Sequence, residues 1–163
     1  MVMSEIQQIL ILLNQIGSLS APQNLLRWLA RHFIGGKLSY IGIDGRGKQV
    51  RDLLHVADLA DLVILQLRNI EQHRGQIYNV GGGLENSVSL QELTKTCQEL
   101  TGNEIPVSSD SENRPGDIPW FVTDSSKIKE KTGWNPQRPL KEIFQEILYW
   151  LEEHQQALRN ILS

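Results

Sequence analysis

Two arginines stand beside clusters of turn-forming residues. Arg51 lies four residues beyond Asp44-Gly45-Arg46-Gly47, in the stretch GKQVRDLLHVADLADL. Arg114 lies within Asn113-Arg114-Pro115-Gly116-Asp117. A guanidinium offers planar, paired donors that fit phosphate oxygens with fixed geometry, where lysine offers only a point charge. Two such groups converging from separate loops can hold a diphosphate. Asp117, three residues after Arg114, has the acceptor chemistry to receive hydrogen bonds from ribose hydroxyls. The plainer alternative is that both arginines are surface residues in ordinary ion pairs, because patterns this short are common. The residues alone leave both readings open.

Other chemistries find less support. Gly81-Gly82-Gly83 follows the apolar run IYNV, but a dinucleotide fingerprint needs glycine at position 86, where Asn86 stands. No Lys-Ser/Thr pair follows for a P-loop, so a flexible strand exit is the expectation. The four histidines are scattered. His55 and Asp58 are three apart, yet no third metal-type partner and no His-Glu-x-x-His pattern accompanies them. His55 is expected to line a site or pack in a strand. There is no Gly-x-Ser-x-Gly elbow for a serine nucleophile. Cys97 is the sole cysteine, which removes an intrachain disulfide and a cysteine-based zinc site, and it is expected on the buried side of a helix. Trp28, Trp120, Trp134 and Trp150 are expected in the core or a groove, Trp134 folding back on the helix before it.

The elements that must position these residues follow from periodicity and punctuation. Ile6, Ile9, Leu10, Leu13 and Ile16 share one helical face in a short amphipathic start. Ser20 and Pro22 open a second helix, with Leu25, Leu26, Trp28, Leu29 and Phe33 as its stripe and Gly35-Gly36 as its stop. LSYIGI reads as a strand, Asp44 to Gly47 as a turn, and VRDLLHV as a strand or extended segment. Asp58 can cap a helix with Leu59, Leu62, Val63, Leu67 and Ile70 along it. IYNV, 77–80, reads as a short buried-type strand. Ser89-Leu90-Gln91-Glu92 has capping-box spacing and starts a helix through Leu93, Cys97 and Leu100 that Gly102 ends. IPVSS is another strand candidate, and RPGDIPWFVTD is irregular, then extended. Asp124 can cap the helix SSKIKEKT, stopped by Gly133. Pro139 begins the last helix, with Leu140, Ile143, Phe144, Ile147, Leu148 and Leu151 inward. Helices alternate with short strands, so the class is α/β or α+β.

The chain has 163 residues, 40% hydrophobic and 21% charged, with a net charge of −3. That is an ordinary soluble composition with room for a core. No lysine/arginine block marks a nucleic-acid partner. The apolar run ILILL is five residues long, too short to span a bilayer, and no basic residue precedes it as in a secretory signal. A reducing cytoplasm is the expected setting and no membrane is expected as a partner.

Three stretches, in this order, carry a resemblance. GKQVRDLLHVADLADL, IYNVGGGLENSVSLQEL and RPGDIPWFVTDSSKIKEKTGWNPQRPLKE resemble the C-terminal half of the extended short-chain dehydrogenases that act on nucleotide sugars. These are NAD-dependent epimerases and dehydratases. The Gln49 before Val50-Arg51-Asp52 and the Asn86-Ser87-Val88-Ser89-Leu90 run look most like the CDP-tyvelose (CDP-paratose) 2-epimerase group. The resemblance covers residues 22 to 155 and divides the chain into an atypical N-terminal segment, 1–21, and a nucleotide-sugar-binding part, 22–163. It implies an α/β fold forming the C-terminal substrate-binding part of an extended short-chain dehydrogenase and lacking most of the Rossmann domain.

It also implies roles. The arginines at Arg51 and Arg114 contact the nucleotide diphosphate and the acid at Asp117 takes the nucleotide ribose. The substrate is a CDP- or UDP-sugar, and the chemistry is hydride exchange with tightly held NAD, which the cofactor supplies and the protein positions. The family's Tyr-x-x-x-Lys pair does not occur in this chain. Asp44, Gly82 and Glu153 stand four residues after Tyr40, Tyr78 and Tyr149. No glycine triplet has the fingerprint spacing. Without them the chain has no general acid/base for a sugar hydroxyl and no evident site for the NAD pyrophosphate. Two expectations follow: a substrate-binding part that works when another chain supplies the NAD half, or a non-catalytic binding domain or decayed remnant. In either case the inward faces that belong, by the resemblance, against a larger sheet, Leu59-Leu62-Val63-Leu67 among them, are left partly uncovered, and marginal stability or self-association is expected.

Overall fold

The computed structural model describes residues 22–112 and 118–156, with side chains of the first helix described from residue 28 onward. The amphipathic start at Ile6–Ile16, and Ser20, lie outside the described residues. So do Arg114 and Asp117.

The helix α1 spans Pro22–Ile34 and turns its Trp28 and Leu29 into the core. Gly35, at φ +91°, ends it by donating its N–H to the Arg31 carbonyl. A side chain at that φ would be strained, which is why glycine stops the helix. The strand β1, Leu38–Ile41, runs parallel to β4, Val107–Asp110, with Leu38 opposite Val107 and Ile41 opposite Asp110. The second sheet has the order β3-β2-β5, where β2 is Val50–Asp52, β3 is Ser87–Ser89 and β5 is Trp120–Phe121. In it β2 pairs antiparallel with β3 and parallel with β5.

Five further helices follow among the described residues: α2, Val56–Arg68, with the single turn α3, Ile70–His73, behind it; α4, Leu90–Thr101; α5, Ser126–Thr132; and α6, Leu140–Glu153. The Ser89–Glu92 capping box forms in full: the Ser89 hydroxyl accepts from the Glu92 N–H and the Glu92 carboxylate accepts from the Ser89 N–H. Gly102 and Gly133, both left-handed, end α4 and α5 as expected.

Two cores hold these elements. Trp28, Leu29, Leu38, Leu93, Cys97, Ile143, Phe144, Ile147 and Leu151 join α1, β1, α4 and α6. Cys97 is an inert member: burial pushes its thiol up to about 12. Leu62, Ile128 and Trp134 form a smaller core with Leu54, Tyr78 and Val80 against it. Trp134 does fold back on α5, meeting Ile128, and its indole N–H donates to the Asp58 carbonyl at 3.1 Å. Trp120 departs from expectation, standing 59% exposed on β5.

Two other expectations are corrected. Asp58 does not cap α2. His55 does, its Nδ1 accepting the Ala57 N–H at 3.0 Å while its Nε2 lies 2.8 Å from Glu146 Oε2. The lone pair on Nδ1 places the ring proton on Nε2, so one imidazole caps α2 and ties it to α6. Asp58 instead sits in the first turn, buried, where its Oδ1 meets Arg138 Nη1 at 2.6 Å and its Oδ2 accepts the Arg138 N–H at 3.1 Å. The hydrogen bond to Asp58, ahead of that to Asp61, holds the Arg138 guanidinium above its ordinary value. The second correction concerns IYNV. Residues 77–80 form no ladder with any described strand, so no strand is assigned there.

Candidate functional site

Arg51 is the middle residue of β2, opposite Val88 on β3 and Phe121 on β5. It is half-buried, and its guanidinium donates to the Val50 carbonyl at 2.7 Å. The turn before it is built by close packing. Gly45 and Gly47 have φ of +61° and +65°. A Cβ on Gly45 would strike the Ser109 hydroxyl, and one on Gly47 would come within 2.6 Å of the Tyr40 ring. The same turn serves α4: the Leu90 N–H donates to the Gln49 carbonyl and the Gln91 N–H to the Gly47 carbonyl. Those are two of the unpaired donors that every helix start carries. Gln49, buried, donates from Nε2 to the Ile41 carbonyl at 2.6 Å. The glycines therefore fix the register of β2, and with it the position of Arg51.

Arg114 and Asp117 lie outside the described residues, as does all of 113–117. Their described continuation returns to Arg51: the Val50 N–H donates to the Pro119 carbonyl at 2.9 Å, and β5 begins with Trp120 opposite Val50. Asp52, next to Arg51, performs a structural task. Its Oδ2 accepts the Gly83 N–H at 3.0 Å and its Oδ1 accepts from Thr123 at 3.3 Å.

That bond network corrects the reading of Gly81-Gly82-Gly83 as a flexible exit. Gly81 and Gly82 are buried. A Cβ on Gly81 would strike Thr123, and one on Gly82 would strike the Leu53 carbonyl. The Gly81 N–H donates to the Ser125 hydroxyl at 3.1 Å. Gly81 and Gly82 stand here because β2, this segment and the start of α5 pass too close for side chains, whereas Gly83 has open space beside it and a φ of +73°. Gly82→Ala is expected to cost about 1–3 kcal/mol, the range for overpacking a tight interior, read as a lower midpoint in urea unfolding. An unchanged midpoint would show that the contact is loose.

The tyrosines are equally committed. Tyr40 donates to Thr94 at 2.7 Å, Tyr78 bonds His73 Nδ1 at 3.0 Å, and Tyr149 bonds Glu153 at 2.9 Å. The bond to Glu153 raises Tyr149 above its ordinary value, the opposite of what a tyrosinate base needs. Lys127 stands over the face of the Tyr78 ring, 5.0 Å from its centroid, and not at its hydroxyl. Among the described residues no cluster of three metal-type side chains occurs. No helix among them is long and apolar enough to cross a membrane. An open groove of about 570 Å³ lies between α4 and the β1–β4 pair, lined by Tyr40, Glu92, Thr94, Lys95, Ile105 and Val107 among others; Arg51 is not part of it.

The family model for GDP-mannose 4,6-dehydratase matches residues 8–147, most of the chain and from inside its first 21 residues onward. The chain belongs to the nucleotide-sugar epimerase/dehydratase family.

Two curated members illustrate the relation. CDP-paratose 2-epimerase of Salmonella typhi is 35% identical over 66% of this chain and 32% of its own length. UDP-glucose 4-epimerase of Bacillus subtilis is 32% identical over 79% of this chain and 39% of its own. Among solved structures, MoeE5 in complex with UDP-glucose and NAD superposes with a TM-score of 0.68 at 24% identity, covering 80% of this chain and 42% of that one. At that identity the likeness speaks for the α/β fold alone. The chain thus spans about a third to two fifths of the length of these relatives.

NAD is the family's cofactor, and the described residues do not fit it. A pyrophosphate cradle needs open backbone at its glycines. Here the space beside Gly81 and Gly82 is filled by Thr123, Asp52 and Leu53.

Proposed function

We propose that this chain is the nucleotide-sugar-binding part of an NAD-dependent sugar epimerase or dehydratase of the CDP-tyvelose (CDP-paratose) 2-epimerase type. Arg51 and Arg114 hold the diphosphate of a CDP- or UDP-sugar, and Asp117 takes the ribose. The observation that supports this most is the pairing of β5 with β2. It brings the strand that follows the Arg114–Asp117 segment beside the strand that bears Arg51. Two guanidiniums with planar donors suit a diphosphate, and an adjacent carboxylate suits a diol.

Turnover requires a dinucleotide fingerprint and a Tyr-x-x-x-Lys pair, which these 163 residues do not contain. Incubated alone with NAD and CDP-, UDP- or GDP-sugars, the purified chain is expected to form no epimerised or dehydrated product by chromatography. Product from a contaminant-free sample would overturn that expectation. The filled space beside Gly81 and Gly82 favours a second reading, a non-catalytic binding domain. A reading frame directly upstream that encodes the dinucleotide fingerprint and a Tyr-x-x-x-Lys pair favours the first reading, and its absence the second.

The binding claim is tested by calorimetric titration with CDP and with cytidine, and with UDP and uridine. A diphosphate that binds at least tenfold tighter than its nucleoside supports the site. Equal affinities would remove it.

A further inference from the structure

The turn that leads to Arg51 stands in a conformation its residues do not favour. Ile43 and Asp44 have φ of +46° and +61°. Aspartate tolerates the left-handed region, but a β-branched isoleucine there is strained. Such a conformation persists where its surroundings over-determine it. The strand β2, which follows, has three residues and its neighbour β5 has two. A ladder of so few rungs does little to fix its own register, and a slip of one residue would send Arg51 to the other face of the sheet. The register therefore depends on what grips the turn.

Two elements grip it. From β1, the Tyr40 ring lies against buried Gly47, within 2.6 Å of where a Cβ would stand, and the Ile41 carbonyl accepts from Gln49. From α4, the Gln91 and Leu90 N–H groups reach the Gly47 and Gln49 carbonyls at 2.8 and 3.2 Å. Thr94 joins the two grips. Its buried hydroxyl accepts from the Tyr40 hydroxyl at 2.7 Å and from the Trp28 indole N–H at 2.9 Å, and it donates to the Leu90 carbonyl at 2.8 Å. One hydrogen given and two accepted use the whole capacity of a hydroxyl. The Tyr40 ring also stacks on Trp28, with centroids 5.7 Å apart and planes 15° from parallel. A closed circuit results: Gly47 to Tyr40, Tyr40 to Thr94, Thr94 to Leu90, and Leu90 back to Gln49, which stands just before Val50-Arg51. Tyr40 and Thr94 also line the groove that does not include Arg51, so their route to Arg51 runs through the turn.

We propose that Tyr40 and Thr94 are positioning residues for Arg51. They clamp the 43–47 turn to the first turn of α4, and so keep the guanidinium at the register where it meets a diphosphate. The inference rests on the reading of Arg51 as a diphosphate ligand. Loosening the clamp leaves every group of that site in the chain, but lets β2 and its guanidinium depart from the one geometry that suits phosphate oxygens. The expected sign is a weaker hold on the diphosphate and an unaltered hold on the nucleoside.

The test uses the full 163-residue chain. Tyr40→Phe keeps the ring and loses the hydroxyl, and Thr94→Val keeps the volume and loses the hydroxyl. Without nucleotide, amide hydrogen exchange reads the clamp. Both variants are expected to speed exchange at Leu90 and Gln91 by about three- to tenfold, the scale set by the net contribution of one hydrogen bond. With nucleotide, calorimetric titration reads the position of Arg51. Each variant is expected to lower the preference for CDP over cytidine by a similar factor, and Thr94→Ser, which restores the hydroxyl, to keep the wild-type preference. In an Arg51→Ala background the same variants are expected to change nothing further, since residues that act through one group are not additive. Thermal melting checks that each variant is folded at the titration temperature, and Tyr40→Phe, which leaves Trp28 bonded to Thr94, carries the test if Thr94→Val unfolds. Unchanged exchange or a full preference for CDP in folded Tyr40→Phe, a Thr94→Ser variant that behaves like Thr94→Val, or an equal loss in the Arg51→Ala background would each overturn the proposal. An Arg51→Ala variant as selective as wild type defeats the diphosphate site, and this role with it. An Arg51→Ala variant that loses its selectivity while Tyr40→Phe keeps it defeats the positioning role alone.

Discussion

Asp58→Ala is expected to lower the unfolding free energy by about 3 kcal/mol, the lower end of the range for breaking a buried ion pair. Asp58 is 1% exposed and accepts from both the backbone N–H and the guanidinium of Arg138. Its removal leaves that N–H without a partner and opens a gap under α2 where the 134–138 loop crosses it. The cost stays near the lower end because the Arg138 side chain is 29% exposed and retains Asp61 at 3.4 Å. A domain is stable by roughly 5–15 kcal/mol in all, so such a loss is large. Asp58→Asn, which keeps the volume and an acceptor for the N–H, is expected to cost less than half as much. Urea unfolding of both variants checks this. Equal midpoints for wild type and Asp58→Ala would show that the pair contributes nothing net.

The second large effect concerns binding. A hydrogen bond to a charged group contributes roughly 1.5–3 kcal/mol, so Arg51→Ala or Arg114→Ala is expected to weaken diphosphate binding by about ten- to a hundredfold. Neither change is expected to alter nucleoside binding, because the base and ribose do not meet a guanidinium. For Arg51 the expectation also has a structural side. Alanine at this position keeps the backbone pairing of β2 with β3 and β5. Thermal melting within a few degrees of wild type is therefore expected to accompany the loss of affinity.

Much of the fold was legible because local chemistry decided it. The Ser89–Glu92 capping box, the stops at Gly35, Gly102 and Gly133, and the α6 stripe of Ile143, Phe144, Ile147 and Leu151 all stand where the sequence placed them. What was not legible depended on distant partners. Asp58 has the chemistry of a cap, but Arg138, eighty residues on, takes it. His55 then caps α2 with a ring nitrogen, a role that sequence spacing does not signal. Gly81 and Gly82 read as freedom at a strand exit, whereas they record how closely Leu53 and Thr123 pass. IYNV has strand residues, but a strand exists only beside another, and no described segment pairs with it.

The candidate site rests on a different kind of signal. The residue types of Arg51, Arg114 and Asp117 left a diphosphate-and-ribose site and ordinary surface ion pairs both open, and the family resemblance implied the first. The pairing of β5 with β2, which sets Phe121 opposite Arg51, was not readable from spacing, since a two-residue strand leaves almost no pattern. The turn at Gly45–Gly47 had a double meaning: it delivers Arg51, and it also supplies the carbonyls that receive the first N–H groups of α4.

The central claim is that Arg51 lies in a nucleoside-diphosphate site. Isothermal titration of CDP and cytidine into wild type and Arg51→Ala, with the fold of each checked by thermal melting, tests it most directly. Wild type is expected to bind CDP at least tenfold tighter than cytidine, and Arg51→Ala to lose most of that difference while cytidine binding holds. CDP and cytidine binding alike to wild type, or a folded Arg51→Ala variant that keeps the full preference for CDP, would contradict it.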